Sequence, residues 1–402
     1  MERIYDRLIK QHLQHDDLML FLEGPRQVGK TTSSQTASRY YPQFTYLNWD
    51  ERDHRDLIIE GSVAIAKQIG LERLQAKKAC IVFDEIHKYS KWKSFLKGFY
   101  DLYKTKSHII VTGSSRLNLF RRGGDSLMGR YFLYRMHPLS VAECVRSRLS
   151  LNEISQPIEI PAQDFKHLLQ FGGYPKPFIK SNHSFSLRWQ RLRKQQLIRE
   201  DIRDATRIQE LNQLEILTEL LAAQSSQVLV FSNLAKKIRV SVDTIRRWIN
   251  TLKTFYYCFT IKPWHKNVTR SLIKEPKIFL WDWSLLTDEG ARFENFIASH
   301  LLKAVHFWTD RGLGDYDLFY IRNLEKQEVD FVVTKNNKPW LLVEAKYSDN
   351  QSLSPHLIKF QQILGVKYAF QVCCDMPYID KSCFDESGPV IVPASTFLSQ
   401  LV

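Results

Sequence analysis

The sequence predicts an α/β protein in three parts: a parallel sheet with crossover helices over residues 1–140, a helical region over 141–264, and a second α/β domain over 265–402. Three observations predict this. In the first third, short apolar runs alternate with helix-period stretches, the rhythm of a parallel sheet. A glycine-framed loop ending in Lys-Thr follows the first of those runs. The last third contains EVDFVVTKNNKPWLLVEAK (328–346), two strand-like runs with charges on alternate residues around a polar turn.

The N-terminal runs are LMLFLEG (18–24), FTYLNW (44–49), ACIVFDE (79–85), SHIIVTGSS (107–115) and YFLYRMHPLS (131–140). After the first stands Gly24-Pro25-Arg26-Gln27-Val28-Gly29-Lys30-Thr31, which fits G-x-x-x-x-G-K-[ST] between a strand and a helix, the signature of a P-loop NTPase sheet. Gly24 and Gly29 let backbone amides turn inward around phosphate oxygens, and the helix that follows presents its positive N-terminus. Lys30 is placed for the β- and γ-phosphates of ATP, the Thr31 hydroxyl for Mg²⁺, and Thr32 for the same cradle. ACIVFDE ends in Asp84-Glu85, at the edge where a parallel sheet presents its ligands. The pattern assigns Asp84 to Mg²⁺ through water, and Glu85 to orienting and deprotonating an attacking water. Thr112, Ser114 and Ser115 close the next run as candidate γ-phosphate sensors. Arg130 is a candidate positive charge for the cradle, in cis or toward a neighbouring subunit of a homo-oligomer.

Composition narrows the partners. Of 402 residues, 44% are hydrophobic and 25% charged, ordinary for a globular chain, but the formal charge is +14 and the pI about 9.4. That balance favours polyanions, nucleic acid first and an anionic membrane surface second. Six cysteines (Cys80, Cys144, Cys258, Cys373, Cys374, Cys383) lack paired metal spacing and read as reduced, mostly buried thiols. The start, MERIYDRLIKQHLQHDD, has no apolar signal stretch, and no segment approaches the roughly 18 uninterrupted apolar residues of a membrane helix. The expectation is a cytoplasmic protein without membrane attachment.

In the middle region, FSNLAKKIRVSVDTIRRWINTLKTF (231–255) fits a helix-turn-helix. Leu234, Ala235, Ile238, Val240, Val242, Ile245, Ile249 and Leu252 recur at helical spacing for one buried face. Ser232 and Ser241 stand where N-caps would open the two helices. Asp243, Thr244, Arg246, Arg247 and Asn250 then face outward as a groove-reading set, with FYYCFTI as the strand of a wing. The equally open reading is a packing module. A basic stretch at 187–207, LRWQRLRKQQLIREDIRDATR, is either a phosphate contact or a solvated helix face.

GPRQVGKTT, IVFDEIHK, VTGSS, the Gly129-Arg130 pair and HPLS together resemble the large prokaryotic family of AAA-type ATPases whose C-terminal half is catalogued as a domain of unknown function. The match continues in GGYP (172–175), KEPKIFLWDWSLL (274–286), GARFENFIA (290–298) and EVDFVV with VEAK. The resemblance implies an ATP-binding domain, a helical and winged-helix middle, and a C-terminal domain similar to the PD-(D/E)xK nuclease superfamily, with a restriction-endonuclease-like α/β fold. Two positions depart from it: Trp283-Ser284, where the family usually has a small residue and Gly, and Glu200, where it often has Arg before Asp201.

The C-terminal hairpin then poses a question of parity. Val329, Phe331 and Val333 share one face, leaving Glu328 and Asp330 on the other; Glu344 and Lys346 lie opposite Leu341, Val343 and Ala345. A two-residue Asn336-Asn337 loop pairs Asp330 with Val343, whereas a three-residue loop through Lys338 pairs Asp330 with Glu344 and Glu328 with Lys346. The second register keeps the apolar residues together, so a three-residue loop is expected. Two carboxylates about 4 Å apart repel by roughly 4 kcal/mol at an effective dielectric near 20, a cost that a divalent cation relieves. Asp330, Glu344 and Glu294 are therefore the expected Mg²⁺ ligands and Lys346 the group that orients a metal-activated water. The functional expectation is an Mg²⁺-dependent ATPase coupled to a nucleic-acid-directed domain, a nuclease or, alternatively, an inactive nuclease-like domain in a nucleotide-dependent DNA- or protein-binding switch.

Overall fold

The computed structural model describes residues 2–74, 76–113, 127–146, 148–206, 208–265, 275–348, 350 and 352–402. The chain forms two compact units, Met1–His137 with Ser147–Leu149, and Pro138–Arg146 with Ser150–Val402.

The first unit is built on a five-stranded sheet of β1 (Met19–Glu23), β2 (Phe44–Asn48), β3 (Ala79–Asp84), β4 (Ser107–Gly113) and β5 (Tyr131–Arg135). Every pairing is parallel and the order is β2-β3-β4-β1-β5. The strands coincide with the apolar runs because a parallel sheet covered on both faces buries every residue, as β1 and β3 do throughout. Helix α1 (Ile4–His15) precedes β1 and α2 (Lys30–Gln35) follows it. Helices α3 (Arg52–Glu60) and α4 (Ser62–Gln68) connect β2 to β3, and α5 (Trp92–Tyr103) connects β3 to β4. Phe21, Ile81, Phe83, Leu96, Phe99 and Val111 belong to one core under these crossovers. Because β1 sits between β4 and β5 rather than beside β2, the strand order reverses at its C-terminal end. A crevice for ligand opens at such a switch point.

The second unit starts with helices α6 (Val141–Val145), α7 (Ala162–Phe171), α8 (Pro175–Lys180) and α9 (His183–Gln196). A π-helical turn, Leu197–Ile202, continues α9 through Glu200 and Asp201. Helix α10 (Leu211–Ala223) leads into α11 (Phe231–Ile238) and α12 (Val242–Thr254), the helix-turn-helix pair. Ser241 caps α12 by accepting from the Thr244 amide, but α11 opens two residues earlier than expected. Val230 is its N-cap position, so Ser232 lies inside the helix and caps nothing. Trp248, absent from the expected apolar set, is fully buried, while Val242 at the first turn is exposed.

A seven-stranded mixed sheet completes this unit. Its strands are β6 (Cys258–Pro263), β7 (Lys277–Leu280), β8 (Tyr316–Arg322), β9 (Glu328–Lys335), β10 (Lys338–Lys346), β11 (Tyr368–Cys373) and β12 (Pro389–Pro393), in the order β12-β11-β10-β9-β8-β6-β7. Helices α13 (Glu289–Asp310), α14 (Pro355–Leu364) and α15 (Ala394–Ser399) pack on it. None of the six cysteines is joined in a disulfide. No helix among the described residues is long and apolar enough to cross a membrane.

The hairpin register differs from expectation in its cause. Asn336 and Asn337 have φ of 51° and 64°, so the loop has two residues in the left-handed conformation that a type I′ turn requires. The pairing then slips: Lys338 faces Lys335 and Pro339 faces Thr334, but Leu341 faces Val333, leaving Trp340 as the extra residue of a β-bulge. Proline within a sheet is found at such bulges, and the Trp340 ring packs against Trp308, Tyr316 and Phe384. Val343 faces Phe331, and continuing that register sets Glu344 opposite Asp330. The shift expected from the loop comes from the bulge.

A buried polar knot holds α6 to α13. The Lys303 ammonium donates to Glu143 (2.5 Å), Ser140 Oγ and the Pro138 carbonyl, which gives the HPLS motif a structural role. One turn away, His300 is wholly buried: its Nε2 accepts from the Val141 amide at 3.0 Å and Nδ1 pairs with the Phe296 carbonyl at 2.8 Å. Burial lowers its pKa to about 3, with Lys303 adding repulsion. A folded pKa below the unfolded value means the unfolded chain binds the proton more readily, so this contribution to stability is complete above the unfolded value of 6.5 and fades as pH falls. From about pH 7 to about pH 5.5, His300 alone is expected to remove about 1 kcal/mol from unfolding free energy in urea titrations, and His300→Gln to flatten that slope.

Candidate functional site

Three strand ends meet at the switch point of the first unit. β1 runs directly into the loop 24–29, which turns into α2 at Lys30. Gly29 has φ +108°, a conformation that a side chain rarely adopts. Gly24 is required by proximity, since a Cβ there would stand 2.3 Å from the Met136 carbonyl oxygen. Lys30 is buried and its Nζ donates to the carbonyls of Gly24 (2.8 Å) and Pro25 (2.7 Å), inside the loop. Burial lowers its pKa to about 8, and the carboxylates of Glu85 and Asp84 offset part of that.

Asp84 at the end of β3 is the hub. Its Oδ2 accepts from Thr31 Oγ1 (2.8 Å) and Tyr46 Oη (2.6 Å), and its Oδ1 from Thr112 Oγ1 (2.5 Å). Sheet register places these partners, because Asp84 lies opposite Thr112 on β4 and opposite Asn48, two residues beyond Tyr46, on β2. Thr31 and Asp84 offer a hydroxyl and a carboxylate oxygen side by side, a donor set that fits Mg²⁺. Glu85 follows in the left-handed conformation, φ 56°, with its carboxylate 3.5 Å from Lys88 Nζ and 3.6 Å from His87 Nε2. A non-glycine residue held there is a strained backbone position of the kind that gathers at functional sites. Thr32 is exposed on the first turn of α2. Ser114 and Ser115 lie outside the described residues.

Arg130 is placed differently from expectation. Its carbonyl accepts from Met19 at the start of β1, and its guanidinium forms a two-pronged pair with Asp101 at 2.9 and 3.0 Å. The cradle follows the other end of β1, about 15 Å of strand away. Within one chain, then, Arg130 does not reach the cradle. Residues not foreseen do: Tyr46, and Arg3 from the N-terminal arm. Buried Arg3 donates from Nη1 to the Val28 carbonyl (2.6 Å) and from Nη2 to the His137 carbonyl (2.8 Å), clamping the loop to the exit of β5. The signal for Tyr46 is its place in FTYLNW, two residues before β2 ends at Asn48. Arg3 left no sequence signal.

Residues 16–145 match the family model of an AAA domain. The chain carries an AAA-type P-loop domain. Residues 162–289 match a domain of unknown function (DUF8612) and residues 289–383 another (DUF4143). Uncharacterized proteins of Mycobacterium tuberculosis and Mycobacterium bovis are each 24% identical over 356 residues, 85% of this chain and 73% of theirs. Among solved structures, AMPPCP-bound DnaA from Aquifex aeolicus aligns with a TM-score of 0.33 and 13% identity over 61% of this chain and 86% of that one. A single-substitution variant of RuvB from Thermotoga maritima aligns with a TM-score of 0.29 and 15% identity over 63% and 88%. At these scores neither likeness assigns a fold or a function to this chain. The AAA-type domain supports ATP binding and hydrolysis at the cradle.

The second unit has its own charged cluster, on β7, β9, β10 and α13. Glu294, Asp330, Glu344 and Lys346 come together there, joined by two residues outside the expected set, Lys277 and Glu328. Lys277, its side chain 4% exposed, places Nζ 2.6 Å from Glu328, 3.2 Å from Glu294 and 3.5 Å from Asp330. Burial alone would lower its pKa, but Glu294, Asp330 and Glu328 outweigh that and hold the ammonium above its usual value. Asp330 Oδ2 accepts from the Ala345 amide at 3.0 Å. Lys346 pairs with Glu344 Oε1 at 3.0 Å, and Glu344 Oε2 is buried with no hydrogen-bond partner among the described residues. Burial first and Asp330 second raise Glu344 to about 7 and Glu294 to about 8. Among the described residues no group of three His, Cys, Asp or Glu is arranged to hold a metal ion. The Lys277 ammonium stands among Glu294, Glu328 and Asp330, where a divalent cation would have to compete with it, while Glu344 pairs with Lys346.

Arg3→Ala is expected to lower the melting temperature and to weaken binding of a fluorescent ATP analogue by roughly tenfold or more, since it removes two charge-assisted bonds of roughly 1.5–3 kcal/mol each. Unchanged nucleotide affinity would separate Arg3 from the cradle.

Proposed function

We propose that the chain is an Mg²⁺-dependent ATPase whose nucleotide cycle controls a DNA-holding second unit. The observation that carries the ATPase reading is the meeting of Lys30, Thr31, Asp84 and Glu85 at the ends of β1 and β3. Loop amides from Gly24 to Gly29 bind the phosphates. Lys30 exchanges its bonds to the Gly24 and Pro25 carbonyls for phosphate oxygens, and the anionic phosphates favour its charged form. Thr31 and Asp84 hold Mg²⁺, which when bound neutralises charge on the phosphate oxygens. Tyr46 and Thr112 fix Asp84, and Glu85 accepts the proton of the attacking water. Replacing Glu85 by Gln keeps the shape and removes the base. Turnover should fall roughly 100-fold or more while nucleotide affinity changes little. Hydrolysis as fast as the wild type's would remove Glu85 from this role.

For the second unit, the outward residues of α12 support contact with DNA. Asp243, Arg246, Arg247 and Asn250 are exposed and Thr244 is half-buried, with Lys236, Lys237 and Arg239 exposed beside them. The Arg246 guanidinium lies 4.7 Å from the Phe231 ring centroid, which limits its freedom. Lys277 favours the reading in which the C-terminal sheet holds nucleic acid without cutting it. The double change Arg246→Ala with Arg247→Ala should weaken duplex binding and reduce the slope of log affinity against log salt by roughly 1 for each phosphate that these guanidiniums neutralise. The same DNA should stay intact with Mg²⁺ or Mn²⁺. Cleavage that disappears in Asp330→Ala would instead restore the nuclease reading.

A further inference from the structure

We propose that Lys277 is the resident cation of the C-terminal cluster, and that the second unit does not take up a divalent metal while Lys277 stays between Glu294, Glu328 and Asp330. The proposal rests on reading this cluster as the site of that unit, but its test needs no nucleic acid, so it can fail independently of the DNA-holding reading.

Three features point the same way. The carboxylates are close enough that their mutual repulsion requires a positive charge, and the chain supplies it from β7, about 50 residues before Asp330 in sequence. Lys277 is nearly inaccessible and is aimed inward, over the Tyr320 ring, so it is not a surface lysine that drifts onto an acidic patch. Its single ammonium also meets three separate carboxylates, the role otherwise taken by a small hard cation. A divalent ion entering here would meet that charge at close range and be denied the oxygens it needs most. Glu344 Oε2 completes the picture: the residue is more than nine-tenths buried, and this oxygen has no partner among the described residues. The cluster therefore retains acceptor capacity that a metal would use once the ammonium is gone.

The measurement is Mn²⁺ binding to the full, nucleotide-free chain, followed by the disappearance of the free-ion electron paramagnetic resonance signal. Wild type is expected to show no Mn²⁺ site that depends on Asp330. Lys277→Met and Lys277→Gln, two shapes so that a folding defect in one does not stop the measurement, are expected to bind one Mn²⁺ per chain at least roughly 100-fold tighter than wild type. Adding Asp330→Asn to either should abolish that site, and Lys277→Arg, which keeps the charge, should not create it. Near-ultraviolet circular dichroism and a cooperative melt certify each variant as folded. Two results overturn the proposal: a wild-type Mn²⁺ site that Asp330→Asn removes, or folded Lys277→Met and Lys277→Gln chains that both bind none.

Discussion

The position of β1 between β4 and β5 governs the nucleotide side of the molecule. With β4 on one flank and β3 one strand further, the loop after β1 opens beside the strand end that carries Asp84. Parallel register then fixes which residues reach it, Thr112 from β4 and Tyr46 from β2, with no need for long or flexible side chains. Asp84 thereby holds three hydroxyls in a buried place, where an unpaired carboxylate would be expensive. A one-residue slip in any of these pairings would turn the partner to the opposite face of the sheet. The precision of the site is a property of the sheet, and the glycine loop adds only the final turn.

The second unit solves a different electrostatic problem, and solves it twice. Lys303 and Lys277 are both buried lysines, each surrounded by acceptors from distant parts of the chain. Around Lys303 the ammonium donates to one carboxylate, one hydroxyl and one carbonyl. Around Lys277 three carboxylates face one ammonium, and burial first, with the charge of Asp330 second, raises the affinity of Glu294 and Glu344 for protons. Removing one partner of such a buried pair typically costs about 3–5 kcal/mol, because the other charge is left stranded. The two lysines look alike in burial, but Lys277 is met by three separate carboxylates.

How far the sequence discloses this depends on where each signal is stored. β1, β3 and β4 are legible because burial on both faces writes itself as continuous apolar runs, while β2 and β5, only partly buried, keep apolar and aromatic residues in their runs. The P-loop is legible because its geometry demands glycine and lysine at fixed offsets. Ser232 misleads because the first turn of α11 opens at Phe231, one residue before a serine that looks like a cap. Arg130 misleads only as a cis residue, and for a topological reason: it stands before β5, at the end of the sheet away from the cradle, and proximity to a motif in the linear pattern does not reveal that. Lys277 is invisible as a site residue because its meaning depends on carboxylates that arrive from α13 and β9. The Asn-Asn turn and Pro339 do carry the hairpin's true geometry, but the smoothest apolar face favours a three-residue loop in its place.

The bulge at Trp340 has one more consequence. Upstream of it the hairpin runs in one reading frame, and downstream in another, so turn and charged cluster are set independently. The chain can therefore alter its turn without disturbing the acidic face, provided Trp340 keeps its seat among the aromatic rings. Loss of that seat, even with every charged residue retained, would rotate Glu344 and Lys346 away from Asp330 together. An aromatic side chain near the turn of the hairpin thus acts as the frame-keeper for the polar cluster further along it.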